Sequence, residues 1–195
     1  MLFEEGKISG LLIVSPKGNL NNWDSNEISR HLPERIKRNV LVWQPNHTQR
    51  WTKAFKDMVQ NDSTGVLNIF LVNVEAFATV KACTHVEEFL VTHDAMMAID
   101  ESTTIKNPKA KRTKHLIKLG PLADYRRILT GFPITKAPLD LYSQCYFLSP
   151  NLLGFSSFYA FQARYAITQS RQMGRHAFQQ VMGFQKLDEL QESIK

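Results

Sequence analysis

Residues 95–101 read AMMAIDE, an unbroken apolar run that ends in two adjacent carboxylates, and this stretch decides the fold. A strand that is apolar on both faces is typical of a parallel sheet with helices covering both sides. Four further runs share this character and also end at polar or turn-forming residues: 11–14, 39–43, 67–72 and 127–130.

The polar stretches between these runs are long enough to form the helices that connect parallel strands. They are residues 22–31, 48–59, 86–92 and 109–119. Strand and helix therefore alternate, which predicts an α/β domain with three layers and a parallel sheet. In such a sheet the carboxyl ends of the strands meet at one edge, where ligands bind. The residues expected at that edge are Ser15, Pro16, Lys17, Asn73, Glu75, Asp100, Glu101, Thr130 and Gly131.

Composition favours a single domain with an appendage. The chain has 195 residues, 43% of them hydrophobic, and no apolar run is long enough to cross a bilayer. Cys83 and Cys145 form no disulfide framework, which predicts a cytoplasmic location. Aromatic residues concentrate at helical spacing between residues 155 and 165. We therefore expect a sheet domain over residues 1–150 and a helical appendage over residues 151–195, with these rings in its core.

Positive charge is concentrated in one segment of the chain, whose formal net charge is +6. Between residues 106 and 127 lie Lys106, Lys109, Lys111, Arg112, Lys114, Lys118, Arg126 and Arg127, opposed only by Asp124. A moderate positive charge fits nucleic-acid binding without establishing it. Charge alone favours an ordinary solvated helix face for this segment.

The carboxylate pair at the end of residues 95–101 has the chemistry that an ATPase needs. Asp100 can hold Mg²⁺ through its water shell, and Glu101 can orient and deprotonate an attacking water. A strand that merely ends in ordinary acidic residues has the same pattern. The pair by itself leaves both interpretations open.

Residues 100–112, DESTTIKNPKAKR, closely resemble motif II of the Swi/Snf-type superfamily-two helicases and translocases. Residues 127–134, RILTGFPI, resemble motif III of the same family, and residues 12–17, LIVSPK, with Trp23 and Glu27 resemble its motif Ia. The motifs come in the family's order and spacing, and the resemblance extends from about Gly10 to the end of the chain. It is closest to compact prokaryotic and phage members.

This resemblance implies a RecA-like fold, that of the P-loop NTPases, and a role for each motif. Asp100 would coordinate Mg²⁺ and Glu101 would be the catalytic base of ATP hydrolysis, while Thr130 and Gly131 would couple the nucleotide state to a nucleic-acid groove. Phosphate contacts that give affinity without sequence reading would come from Ser15, Pro16, Lys17, Lys106, Lys109 and Lys111. For Trp23 we expect a packing role between helix and sheet.

Two departures from the family pattern bear on activity. Phe132 stands where the family has a small hydroxyl residue, and a bulky ring there can perturb the coupling between ATP and DNA. The sequence also contains no phosphate-binding loop with its glycines, lysine and Ser/Thr, because Gly6-Lys7 lacks the flanking residues. The resemblance therefore implies an N-terminally incomplete domain. Residues 185–190 resemble the connector to a second RecA-like domain.

We accordingly expect another chain or segment to supply the phosphate loop and the second domain. In the family, the strand before the phosphate loop pairs beside the motif III strand. Residues 127–130 are therefore expected to form an open sheet edge.

Two functions remain open at this point. The first is part of a DNA-dependent ATPase of the helicase and translocase class, inactive alone and completed by another chain. The second is a non-catalytic protein, derived from a helicase, that binds nucleic acid or a helicase-like partner. The carboxylate pair favours the first, and the missing loop favours inactivity of the isolated chain.

Overall fold

The computed structural model describes residues 1–60, 65–173 and 176–194. The first half of the chain forms β1 (Gly10–Ser15), α1 (Lys17–Asn22), α2 (Ile28–His31), β2 (Lys37–Val42), α3 (Gln49–Gln60), β3 (Val66–Asn73), α4 (Val80–Thr92) and β4 (Ala95–Asp100). The second half forms α5 (Lys111–Leu119), β5 (Tyr125–Leu129), α6 (Leu141–Leu148), α7 (Phe158–Tyr165), β6 (Ala166–Met173), β7 (His176–Phe184) and α8 (Leu187–Ser193).

Strands β1 to β5 form one sheet in the order β2-β3-β1-β4-β5, and every neighbouring pair is parallel. Helices cover both faces, which confirms the predicted three-layer α/β fold. One face packs against α3, α4 and α5 through a large core that includes Phe55, Phe70, Phe89 and Leu116. The other face packs against the helical segment after β1 through a smaller core around Leu20 and Ile28.

The segment after β1 is helical throughout but changes its winding in the middle. Between α1 and α2, residues Trp23–Glu27 form a single π-helical turn. The sequence predicts one helix over residues 22–31, whereas the observed helical stretch already begins at Lys17. The wider π turn lets residues on both sides of it face the sheet, because it inserts extra chain into the helix without breaking it.

Two other elements start earlier than the apolar pattern predicts. Strand β5 begins at Tyr125 and so includes Arg126. The Arg126 guanidinium donates to the Phe147 carbonyl at 3.1 Å. Helix α4 begins at Val80 rather than at residue 86, and its first turns interrupt the apolar pattern with Lys81, Thr84 and His85. Polar or amphipathic side chains conceal both beginnings from a hydrophobic pattern.

The region after Pro150 differs from the predicted helical appendage. Helices α7 and α8 are present, but β6 and β7 between them form an antiparallel hairpin with an irregularity at Ile167/Thr168. The hairpin strands are largely exposed on both faces, so they give little of the apolar alternation that predicts a strand. The predicted aromatic core is confirmed, because Phe161 and Tyr165 are buried with Tyr142 between α6, α7 and α8.

Within the part of the chain that the structure describes, no helix is long and apolar enough to span a membrane. The cytoplasmic location stays a prediction, as do the domain boundaries. Helix α6 contributes Tyr142 to the aromatic core and Phe147 to the large sheet core, so it joins the two regions.

Candidate functional site

The carboxyl ends of four strands bring the predicted site residues to one edge of the sheet. Ser15, Asn73 and Asp100 are the last residues of β1, β3 and β4. Strand β1 lies between β3 and β4, and the Asp100 end of β4 pairs with Leu129 of β5. Thr130 and Gly131 follow directly, so motifs Ia, II and III meet where the sequence predicts.

The Asp100 carboxylate accepts three hydrogen bonds at this edge. Its Oδ2 accepts hydrogen bonds from Ser15 Oγ at 2.8 Å and from Trp23 Nε1 at 2.9 Å. Its Oδ1 accepts the backbone N–H of Glu101 at 2.9 Å. Hydrogen bonds to an ionised carboxylate are about twice as strong as those between neutral groups. The carboxylate therefore has a fixed orientation before any ligand binds.

Glu101 occupies an environment unlike that of its neighbour. Its φ of 47° lies in the left-handed region, which costs a residue with a side chain roughly 1 kcal/mol or more. The Glu101 side chain is exposed, whereas Asp100 is half-buried. Two adjacent carboxylates in different surroundings can perform different tasks, one holding a cation and the other accepting a proton.

The segment that follows β1 is tied to the end of β3. Glu75 Oε2 accepts the backbone N–H of Lys17 at 3.3 Å and the side-chain amide of Asn73 at 3.1 Å. Pro16 is half-buried, and the Lys17 side chain is exposed at the first residue of α1. The backbone of this turn is thus held in place, while the Lys17 ammonium is available to an anionic partner.

Gln144 of α6 joins three segments around the carboxylate pair. This side chain is fully buried, and its Oε1 accepts the Ser102 hydroxyl at 2.6 Å. Its Nε2 donates to the carbonyls of Pro133 at 2.7 Å and Asp140 at 2.8 Å. Gln144 therefore fixes the turn after motif II against the loop of motif III.

Asp140 organises the same loop through one carboxylate oxygen. Its Oδ2 accepts the Thr135 hydroxyl at 2.8 Å and the backbone N–H of Lys136 at 3.0 Å, and it lies 3.4 Å from Lys106 Nζ. Burial raises the pKa of Asp140, but the hydrogen bonds from Lys136 and Thr135 and the charge of Lys106 together lower that pKa below its ordinary value. The Lys106 ammonium also contacts the Thr135 hydroxyl. Lys106 thus serves this loop, and its charge is already paired.

The remaining basic residues of motif II have a different setting. Lys109 and Lys111 are exposed, and Lys109 Nζ lies 5.8 Å from the centre of the Tyr159 ring. Lys111 is the first residue of α5, which connects β4 to β5 and so runs back towards the amino ends of the strands. Lys118 at the far end of α5 therefore lies away from the edge that carries Asp100.

Motif III itself is open to solvent. Thr130 is half-buried, Gly131 is exposed, and the Phe132 side chain is 79% exposed. The bulky ring that departs from the family pattern therefore adds nothing to the core. Its exposure beside the carboxylate edge leaves it available for contact with another molecule.

Three contributors to this site are missed or misjudged from the sequence. The expected packing role of Trp23 is incomplete, because its ring packs against the sheet while its indole N–H binds Asp100. Gln144 and Asp140 lie in a stretch that also matches the family pattern, but the sequence predicts no role for either. The sequence holds a signal for Gln144, which is a polar residue on an otherwise apolar helix between the buried Tyr142 and Phe147. Asp140 precedes that helix and has no such signal.

An apolar groove of about 240 Å³ adjoins the carboxylate edge on the sheet face that packs against α1 and α2. Its walls include Leu11, Ile13, Trp23, Met96, Ala98 and Leu129. Leu129 belongs to β5, which has a sheet neighbour only in β4 among the described strands. The open edge predicted for motif III is therefore confirmed, and an apolar groove runs along one side of it.

The donor set fits Mg²⁺ in part. Magnesium prefers carboxylate and water oxygens, and Asp100 and Glu101 offer two carboxylates beside the Ser15 hydroxyl. A triphosphate also needs backbone N–H groups and an ammonium from a phosphate loop, and no such loop occurs in the 195 residues. Asp100 and Glu101 are thus the carboxylates that would hold a cation, although no group of three or more His, Cys, Asp or Glu side chains suited to a metal ion occurs among the described residues.

These features define the class of fold: a RecA-like α/β domain with the Asp100–Glu101 pair at the carboxyl edge of its parallel sheet. The structure resembles the Sulfolobus solfataricus SWI2/SNF2 ATPase core in complex with dsDNA, with a TM-score of 0.59 and 25% sequence identity. The match covers 84% of this chain and 30% of that one. A family model for the SNF2-related domain matches residues 1–190, and the chain belongs to that family.

Curated relatives agree with this assignment. The chain is 29% identical over 143 residues to Helicase SWR1 of Cryptococcus neoformans, covering 73% of this chain and 10% of that protein. It is 28% identical over 208 residues to the SNF2 domain-containing protein ENL1 of rice, covering 100% of this chain and 19% of that protein. The chain thus spans a small part of these relatives, which are eukaryotic. A prokaryotic or phage affinity is not confirmed and stays a prediction.

Replacing Gln144 by Leu is expected to destabilise the fold by about 2–4 kcal/mol, because the Ser102 hydroxyl and two carbonyls would lose a buried partner. Urea unfolding measures this change. The exposed Gln179→Leu is the matched control and should stay within about 0.5 kcal/mol of the wild type. Equal effects of both substitutions would mean that Gln144 does not bridge these segments.

Proposed function

We propose that this chain is part of the motor domain of an SNF2-type, DNA-dependent ATPase, and that it requires another chain or segment for hydrolysis. The observation that carries the proposal is the meeting of Asp100, Ser15 and Thr130 at one sheet edge in a member of the SNF2-related family. The chain would supply the cation-binding carboxylate, the base and a DNA-facing segment. The phosphate loop and a second RecA-like domain would come from the completing chain.

Within that assembly the two carboxylates have separate roles. Asp100 holds Mg²⁺ through its water shell, which suits a carboxylate already oriented by Ser15 and Trp23. Glu101 is exposed and positioned next to it, and it orients and deprotonates the attacking water. When bound, Mg²⁺ supplies positive charge against the phosphates of ATP. Thr130 and Gly131 at the end of β5 lie beside this pair and couple the nucleotide state to DNA.

DNA is the proposed nucleic-acid partner. The solved structure that this chain resembles is an ATPase core in complex with dsDNA, which supports the assignment. Pro16 and Lys17 face the phosphate backbone, and Lys109 and Lys111 add exposed positive charge at the same edge. The sequence predicts the same role for Ser15, but its side chain is buried and donates to Asp100, so it cannot contact DNA directly. Lys106 orders the motif III loop through Asp140 and takes only an indirect part in binding.

The completing chain docks at the open edge of β5. At this edge the Arg126 carbonyl accepts a hydrogen bond from the Arg127 guanidinium at 3.0 Å, and an added strand could replace that side-chain donor. A strand added to this edge would gain main-chain hydrogen bonds, and a helix joined to it would fill the apolar groove beside Leu129. This arrangement explains why an apolar groove and a free strand edge lie side by side.

ATP turnover is expected to stay at background for the isolated chain, with or without duplex DNA, because the carboxylates cannot by themselves bind a triphosphate productively. A coupled phosphate-release assay measures it. DNA-stimulated turnover by the isolated chain that disappears in Glu101→Gln would contradict the proposal of incompleteness.

A second experiment tests whether ATP turnover appears when the missing parts are supplied. Mixing the chain with a polypeptide that carries the strand, phosphate loop and second domain of an SNF2 relative should give DNA-stimulated turnover, and Glu101→Gln should remove it. The non-catalytic alternative predicts DNA or helicase binding without turnover in any mixture. That alternative is favoured by the lack of a phosphate-loop motif in the 195 residues.

A further inference from the structure

The side chain of Trp23 makes a polar contact that its packing does not require. The indole ring packs against the core around Leu20 and Ile28 and lines the apolar groove, a role that Phe would fill equally well. Its Nε1 nevertheless donates to Asp100 Oδ2 at 2.9 Å, across 77 residues of sequence. The indole N–H is only a donor, so an ionised carboxylate is a well-matched partner.

Trp23 and Ser15 act on the same oxygen atom. The Ser15 hydroxyl is fully buried and lies 2.8 Å from Asp100 Oδ2. Oδ2 thus accepts two hydrogen bonds from side chains, whereas Oδ1 accepts the backbone N–H of Glu101. The two donors therefore decide which oxygen of Asp100 is presented to the water shell of a cation.

The local fold connects these donors to the DNA-facing turn. Ser15, Pro16 and Lys17 are consecutive, and Lys17 begins the helical segment whose π turn begins at Trp23. The six residues of α1 span only about 9 Å at 1.5 Å per residue. A π turn within a helix frequently marks a functional position. Lys17 is therefore joined by a short, continuous helix to the indole that donates to Asp100.

We propose that Trp23 is a positioning residue that, together with Ser15, orients the Asp100 carboxylate and links it to the turn that carries Lys17. The link to DNA rests on the proposed function, in which Lys17 meets the phosphate backbone. The orientation of Asp100 by Trp23 is independent of that function, since both side chains are in contact in the chain by itself.

Indole resonances in a ¹⁵N–¹H spectrum of the full chain test both parts. The chain has three tryptophans, so three indole N–H signals are expected, and Trp23→Phe identifies the one from Trp23. Asp100→Asn should shift the Trp23 signal upfield, because a neutral amide is a weaker acceptor than a carboxylate. The signals of Trp43 and Trp51 are internal controls and should not move. A Trp23 signal that is unchanged in Asp100→Asn would overturn the hydrogen bond and the proposal.

Addition of a mixed-sequence DNA duplex at low salt tests the link. Binding is followed separately by fluorescence anisotropy of labelled DNA, and the Trp23 signal should shift in step with it. In Lys17→Glu the shift should be lost even at DNA concentrations that restore binding. DNA binding that leaves the Trp23 signal unmoved would overturn the link but not the proposed function. Absence of any DNA binding would overturn the proposed function and the link together, while the Asp100→Asn comparison would still decide the positioning role.

Discussion

Simultaneous charge reversal of Lys17, Lys109 and Lys111 to Glu is expected to weaken binding of duplex DNA by roughly 10²-fold or more at low salt. All three side chains are exposed, and they lie near the edge that carries Asp100. Each cation that neutralises a phosphate releases condensed counterions, which contributes about −0.9 to the slope of log affinity against log salt. Wild-type binding should therefore fade steeply between low and physiological salt, and the variant should lose much of this dependence.

The control for this experiment is a second triple variant with the same net charge. Lys7 precedes β1, Lys37 begins β2, and Lys118 lies near the end of α5, so all three belong to the opposite edge of the sheet. All three side chains are exposed. Reversing them should weaken binding far less, because they lie away from the proposed groove. Equal losses in both variants would mean that the chain binds DNA only through its overall charge. Salt-insensitive binding would contradict phosphate contacts as its source.

The fold follows from the sequence because buried parallel strands are the strongest pattern in it. Residues of β3 and β4 are apolar on both faces, which only a sheet covered by helices on both sides accommodates. The convergence of motifs Ia, II and III on one sheet edge follows from the family resemblance and the carboxyl-edge rule together, whereas the strand order and the Ser15–Asp100 hydrogen bond come only from the structure. Strand β5 is the weakest case, because Arg126 and Arg127 make it resemble a surface segment.

The parts of the site that could not be predicted are polar groups whose roles depend on distant partners. Gln144 is 42 residues from Ser102, and Trp23 is 77 residues from Asp100. An aromatic residue on a helix gives the same periodic signal whether or not its N–H finds a carboxylate. Lys106 shows the same limit, because its charge suggests a phosphate contact until the fold brings Asp140 beside it. Pairwise chemistry of this kind is decided by tertiary structure.

Leu129→Asp is expected to lower ATP turnover of the completed assembly by at least about tenfold while leaving the isolated chain stable. Leu129 ends β5, is 42% exposed and lines the apolar groove. In the isolated chain a charge there remains in water, so unfolding should change by less than about 0.5 kcal/mol. In the assembly the same charge would be buried under the completing chain, and burial of an unpaired carboxylate costs several kcal/mol.

Leu152→Asp is the matched control, because Leu152 is 47% exposed and is not part of the groove. Turnover with the completing chain and urea unfolding of the isolated chain are measured for both variants. A selective loss for Leu129→Asp is expected because a strand paired with β5 and a helix in the groove must both pass over this side chain. Full turnover in Leu129→Asp would place the completing chain elsewhere. The edge of β5 would then stay open in the assembly, and the Arg126 carbonyl would keep its hydrogen bond from the Arg127 guanidinium.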